Sequence, residues 1–275
     1  MSKLKIVILC GRSARHIHVA NRLCQAAEPL AIVNEVGSHW TTKKVLNLMK
    51  PWVIGRKAWR WVRDRKRYAG NPEARYFFPD RDPVFDRADL INEFPHINDP
   101  GVLELVKRLQ PDVICVFGTS LIRGELLEQG RLGILNLHGG LSPEYRGSDC
   151  TFWALYNREP EKVGCTLHFI DPGIDTGNLI AHVCPEVKEG DTELVLFWRA
   201  VKDSAEVYAA SLDRLEKGEP LGQHQPHKGR LYQVKERGLR HERQLDRMLS
   251  DGLLKGVHLP RRTTWYFRDG SVERE

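Results

Sequence analysis

Three short stretches hold residues whose types and spacing could do chemistry. In the first, Asn136 and His138 stand two apart at the end of an apolar run and are followed at once by Gly139 and Gly140. A strand repeats every two residues, so both side chains leave the same face. Asn136 could donate a hydrogen bond to an oxygen that gains negative charge, and His138 could move a proton near neutral pH. The plain alternative for His138 is a satisfied structural imidazole at a strand end. The second stretch, 171–177, carries Asp171 and Asp175 in a Gly/Pro-containing run. Either could be a turn carboxylate; Asp175 could instead orient an imidazole or relay a proton. The third, Gly11, Arg12, Ser13 and Arg15, follows the first apolar run. It has neither the dinucleotide-loop nor the Walker spacing. A backbone-and-arginine anion site at a helix N-terminus remains, or an ordinary strand-to-helix turn.

These residues need elements to position them. Residues 4–10 and 29–34 read as buried strands around a helix at about 15–27. A second unit follows: a helix over 101–109, a strand over 112–117, a helix over 123–129 and a strand over 132–138. That order predicts an α/β fold, a doubly wound, mostly parallel, Rossmann-like sheet. Such sheets keep their sites outside the carboxyl ends of the strands, where Asn136 and His138 fall. Beyond the loop 139–149 come a helix at 150–158 and strands at 163–170 and 178–184. A long helix, capped near Asp191 and Thr192, runs to about Glu216. The expected organisation is a core over 1–217 with a basic Trp/Arg insertion near 40–95, then a small C-terminal appendage over 218–275. The appendage holds a short helix near 241–249 and a hairpin at 263–272.

Of 275 residues, 41% are hydrophobic and 28% charged, which excludes disorder, collagen and coiled coil as the main state. Lys and Arg exceed Asp and Glu, 42 against 36, for a net charge of +6 that favours anionic partners. Residues 50–68 mix Trp52, Trp59 and Trp61 with many Arg and Lys. Such a helix could hold nucleic acid or lie on a membrane, or its tryptophans could dock on the body. The six cysteines lack C-x-x-C spacing and read as buried, reduced thiols. His16 with His18 and His224 with His227 are sparse pairs, so no metal is expected. No apolar run is long enough for a signal or membrane segment, and the expected location is cytoplasmic.

Taken together, two of the stretches resemble one family. Residues 134–147, ILNLHGGLSPEYRG, resemble the Asn-x-His-x-x-x-x-Pro-x-x-Arg-Gly signature of the folate-dependent formyltransferases. Residues 163–177, VGCTLHFIDPGIDTG, resemble their second block. The resemblance covers residues 100–200 well and fades over 40–95 and after 220. It implies the formyltransferase fold, with N10-formyltetrahydrofolate as one-carbon donor and co-substrate and an amine as acceptor. It places the catalytic trio at Asn136, His138 and Asp175. It maps a folate cleft onto Phe117, Gly118, Thr119, Ser120, Leu121, Ile170, Asp171 and Gly173.

The loop wording and the short tail resemble the sugar N-formyltransferases most. That implies a nucleotide-linked amino-deoxysugar as acceptor, used for surface polysaccharide. Its diphosphate would be met by Gly11, Arg12, Ser13, Arg15 and Arg146, unless Arg146 is a solvated loop charge. Methionyl-tRNA formyltransferases carry a larger C-terminal domain. Glycinamide ribonucleotide formyltransferases begin with a phosphate loop richer in Gly and Ser or Asn. Hydrolysis of formyl-folate is a third reading. A different class also stays open: a catalytically dead core serving as a basic binder of nucleic acid or a membrane surface. Retention of the trio favours an enzyme with small anionic substrates over a nucleic-acid partner. A homodimer is left open.

Overall fold

The computed structural model describes residues 3–37 and 51–275. Residues 38–50, part of the insertion expected near 40–95, lie outside the described residues, as does the side chain of Trp52. Among the described residues, thirteen strands follow in chain order. They are β1 (Lys5–Cys10), β2 (Glu28–Glu35), β3 (Ile91–Phe94), β4 (Val113–Phe117), β5 (Ile134–His138), β6 (Tyr145–Gly147) and β7 (Cys165–Phe169), then β8 (Leu179–Cys184), β9 (Val187–Lys188), β10 (Arg230–Tyr232), β11 (His258–Leu259), β12 (Arg262–Tyr266) and β13 (Val272–Arg274). The helices are α1 (Ala14–Ala26), α2 (Pro51–Arg67), α3 (Pro72–Phe77), α4 (Pro100–Leu109), α5 (Cys150–Tyr156), α6 (Glu193–Glu216) and α7 (Leu239–Ser250).

Nine strands form one sheet in the order β13-β12-β8-β7-β5-β4-β1-β2-β3. From β3 to β5 every pairing is parallel. This is the doubly wound half, and the strand order reverses at β1. From β5 outward every pairing is antiparallel. Helices cover both faces, so β1 is apolar throughout its interior. Its alternate residues feed two cores: Ile6, Ile8 and Cys10 join one with α1 and α6, and Val7 and Leu9 join another with α4. Leu135 and Leu137 likewise pack in the α1/α6 core. Period two then puts Asn136 and His138 on the opposite face.

Just below that point, β4 and β5 are bridged by a side chain. The Val116 N–H donates to Tyr208 Oη at 2.9 Å, and that hydroxyl donates to the Leu135 carbonyl at 2.7 Å. Tyr208 is fully buried on α6, so the long helix is tied to the sheet under the site.

The segment after Gly218 is built into the same architecture. Strands β12 and β13 extend the central sheet, β10 pairs in parallel with β6, and β11 pairs with β9. Over 123–129, where a helix is expected, the chain makes a 3₁₀ turn at Gly124–Glu128. Gly124 has φ 67°, a left-handed value that no α-helix continues from. The short strands β3, β6 and β10 have no alternation long enough to read from sequence. All six cysteines are free, five of them buried and Cys24 partly so.

Candidate functional site

Strand β7 returns antiparallel beside β5 in a register that sets His168 opposite Asn136 and Thr166 opposite His138. Opposed residues of paired strands share a face. Asn136 Nδ2 therefore donates to His168 Nε2 at 3.1 Å. The other ring nitrogen, Nδ1, donates to the Phe169 carbonyl at 2.7 Å, which leaves Nε2 as the acceptor. This network fixes the carboxamide orientation and keeps its second N–H for the cavity.

His138 is buried, and its Nε2 donates to the Tyr145 carbonyl at 2.9 Å. Its Nδ1 lies 3.4 Å from Asp175 Oδ2, and the other oxygen, Oδ1, lies 3.6 Å from His168 Nε2. One carboxylate thus faces two imidazoles. The Gly147 N–H also donates to Asp175 Oδ2, at 2.8 Å. Gly147 has φ 90°, and a Cβ there would stand 2.2 Å from the Tyr232 carbonyl oxygen, so only glycine presents this N–H. Burial pushes the Asp175 carboxyl up, but the His138 and His168 imidazoles, which stabilise the carboxylate when they are protonated, outweigh it. With the Gly147 N–H, they hold it well below the usual carboxylate range.

Above these groups opens a cavity of about 400 Å³ at the carboxyl ends of β4 and β5. Asn136, His138 and Asp175 line it, and so do all eight residues expected in the donor cleft: Phe117, Gly118, Thr119, Ser120, Leu121, Ile170, Asp171 and Gly173. Asp171 doubles as a turn residue, accepting from the Gly173 N–H at 3.0 Å and Thr176 Oγ1 at 2.7 Å. The Ser120 loop is held by Glu35, whose carboxylate accepts from the Ser120 N–H at 2.7 Å and the Ile97 N–H at 3.1 Å.

The residues expected to meet an acceptor phosphate do not gather in one place. A second cavity of about 430 Å³ shares Gly118, Gly139, Gly147 and Ser148 with the first, and of the five only Arg15 lines it. Its backbone N–H and its guanidinium both go to Glu73, at 3.1 and 2.8 Å. A buried carboxylate of the chain itself thus occupies the amino end of α1. Arg12 is exposed and reaches Glu93 at 3.5 Å. Ser13 Oγ meets His16 Nδ1 at 3.0 Å, and the Gly11 N–H bonds the Phe117 carbonyl. Arg146 is no solvated loop charge. It is buried and donates to the carbonyls of Ile174 at 2.9 Å and Gly229 at 3.4 Å, so it braces the Asp175 loop.

Helix α2, the Trp/Arg segment, forms one wall of this second cavity through Arg63, Asp64 and Arg67. Arg63 pairs with Glu242 at 2.8 Å and Arg67 with Glu193 at 2.6 Å. Between them lies Arg237, buried and bound to Asp149, Glu193 and Glu242 at 2.6 to 2.9 Å. Burial pushes its guanidinium down, but the Glu193, Glu242 and Asp149 carboxylates more than offset this and keep it charged.

Sequence reading missed His168, Glu35, Gln225 and Arg237. Gln225 Nε2 donates to the carbonyls of Asp175 at 3.0 Å and Gly177 at 2.8 Å, so the tail clamps the site loop. The only signal for His168 was its place within a strand-like stretch; its partner depended on register.

The result is a doubly wound α/β protein whose crevice combines an amide donor, two imidazoles and a carboxylate. Such a set can stabilise an oxyanion and move protons around a tetrahedral carbon. The sequence pattern of the formyl transferase family matches residues 55–212, more than half of the chain, and the chain belongs to that family. The methionyl-tRNA formyltransferase of Chlorobium chlorochromatii is 36% identical over 129 residues, 46% of this chain and 40% of that protein. That of Clostridioides difficile is 36% identical over 122 residues, 44% and 39% of the two chains. The match thus spans about two fifths of the length of these curated relatives. Among solved structures, a 4-N formyltransferase from Francisella tularensis aligns over 99% of this chain and 96% of its own, with TM-score 0.56 and 14% identity. A sugar N-formyltransferase from Shewanella sp. aligns over the same shares with TM-score 0.56 and 16% identity. At such identity the likeness is one of fold.

Proposed function

We propose that this chain moves a formyl group from N10-formyltetrahydrofolate to an amine. The observation that carries this reading is the convergence of Asn136, His138 and Asp175 on one cavity, together with every residue expected to hold the donor. The acceptor amine attacks the formyl carbon, and the free N–H of Asn136 stabilises the oxygen of the tetrahedral intermediate. The proton lost by the amine is held at His138 Nδ1, where the Asp175 carboxylate balances its charge. It then passes to N10 of the folate as the carbon–nitrogen bond to N10 breaks. His168 positions Asn136 and is a second neighbour of Asp175.

For the acceptor we infer an amino group on a nucleotide-linked deoxysugar, entering through the second cavity beside Arg15 and Arg67. The loop wording of 139–147 supports this, as does the name of the Shewanella sugar N-formyltransferase, whose fold aligns along the whole chain. The curated relatives support methionyl-tRNA as the competing acceptor. An assay panel decides: N10-formyltetrahydrofolate offered with nucleotide amino-sugars, glycinamide ribonucleotide and methionyl-tRNA. Transfer to an amino-sugar nucleotide alone is the expected result. Transfer to methionyl-tRNA overturns the acceptor, and no formyl loss from the donor under any condition overturns the reaction.

A further inference from the structure

Helix α2 has two faces with different chemistry. Its inward residues are tied to the body through Arg63 and Arg67, as described above. Its described outward positions are Ile54, Gly55, Lys57, Ala58, Trp61, Val62, Arg65 and Lys66. None of these is acidic. Ile54 is 54% exposed, Trp61 61% and Val62 59%, which is unusual for three large apolar side chains on one helix. Positions 54, 58, 61 and 62 recur at helical spacing, so their apolar groups form a single stripe, with Arg65 in line with it. Among the described residues, Lys57, Arg65 and Lys66 have no carboxylate partner. The Arg65 guanidinium lies over the Trp61 ring, 5.3 Å from its centroid.

We propose that this face docks α2 in the plane of an anionic phospholipid bilayer. Aliphatic and indole side chains would enter the boundary between headgroups and acyl chains, and the flanking cations would meet lipid phosphates. Charge complementarity decides against the alternatives. A second copy of this chain would bring like charges together across the stripe. A nucleic acid would match the cations, but Ile54 and Val62 gain nothing from stacked bases, which favour aromatic platforms. No helix among the described residues is long and apolar enough to cross a membrane, so the contact is peripheral. The ion pairs on the inward face hold the stripe outward before any lipid is met. The wall of the second cavity would then rest against the membrane while the cavity stays open to the body.

The test is flotation of the full chain with vesicles of phosphatidylcholine alone and of phosphatidylcholine mixed with phosphatidylglycerol. The chain is expected to float with the anionic vesicles only, and progressively less as salt rises. Trp61→Ser combined with Val62→Ser should lower the bound fraction roughly tenfold, and so should Lys57→Gln, Arg65→Gln and Lys66→Gln together. Circular dichroism and thermal unfolding check that each variant is folded. Should the double variant unfold, Val62→Ser alone and the wild-type salt titration make the same decision. The proposal fails if wild type does not float with anionic vesicles, or if folded variants float as well as it does. It also fails if the chain binds RNA in a Trp61-independent way while ignoring lipid, or if Trp61→Ser abolishes a dimer instead.

Discussion

Asn136 and His168 meet across the β5–β7 pair, with Asn136 Nδ2 3.1 Å from His168 Nε2. In the neutral ring Nδ1 donates to the Phe169 carbonyl, so Nε2 accepts from the amide. The amide that faces the cavity is therefore oriented by a residue from the neighbouring strand. Substitution of His168 by Ala should lower kcat by roughly 10-fold to 100-fold with little effect on the donor KM, because it frees the carboxamide without removing it. A double-mutant cycle with Asn136→Ala should show strong non-additivity. Additive losses would separate the two residues.

The trio should behave as chemistry, not as scaffold. Asn136→Ala is expected to cost about 10²–10³ in kcat, and His138→Ala about 10²–10⁴, each with a near-native unfolding transition. Steady-state formyl transfer measured beside calorimetry checks both. A folded His138→Ala protein with near wild-type turnover would remove His138 from the mechanism.

Asp175 carries a pH signature. Its carboxyl is held well below the usual carboxylate range in the folded protein. The unfolded chain protonates it near about 3.9, so the stability it adds is complete above that pH and disappears only as the pH falls below it. Asp175→Asn should therefore lose activity at every pH between 5 and 8. The wild-type stability advantage over Asp175→Asn should shrink only below about pH 4. Urea unfolding at a series of pH values reads this directly.

His182 should act in the opposite part of the range. It is largely enclosed, with Nε2 donating to the Ser142 carbonyl and Nδ1 accepting from Tyr266 Oη, each at 2.8 Å. Burial pushes its imidazole from 6.5 down to about 4, against the Ser142 hydrogen bond that favours the charged form. The unfolded chain binds this proton below 6.5 and the folded chain does not, so stability is full above 6.5 and declines as the pH falls towards 4. His182→Gln should flatten that decline. His16, pushed down to about 3 by burial, adds a decline of the same sign, which is why the difference between the two proteins is measured. An identical slope in the variant would refute the assignment.

The tail should matter to the site. Gln225→Ala leaves the buried carbonyls of Asp175 and Gly177 without their donor, at a cost of about 1–3 kcal/mol. Activity should fall further than stability, because Asp175 sits in the left-handed region at φ 52° and depends on its loop being clamped. Chemical denaturation and kcat measured on the same preparation separate the two effects.

Much of this was legible in the chain. The β-branched runs at 4–10 and 112–117 set the parallel strands, and Asn136 and His138 had to share a face because successive strand residues alternate. The basic aromatic helix was legible too, through its composition, although its ion-paired inward face was not. The partners of Arg15 and Arg146 were not legible, for one shared reason. An arginine near a Gly-rich loop looks free until its partner is known, and Glu73 and the Ile174 carbonyl lie 58 and 28 residues away.

What the sequence determined by itself is local: which residues alternate, where the chain turns and which side chains can hold a proton or an oxyanion. Those follow from covalent geometry and side-chain type. The tertiary structure alone decided which of them meet. The β5–β7 register brought His168 to Asn136, the return of 171–177 put one carboxylate between two imidazoles, and the tail supplied Gln225 to hold it there. Register and chain return are set by the whole core packing at once, so no window of sequence contains them.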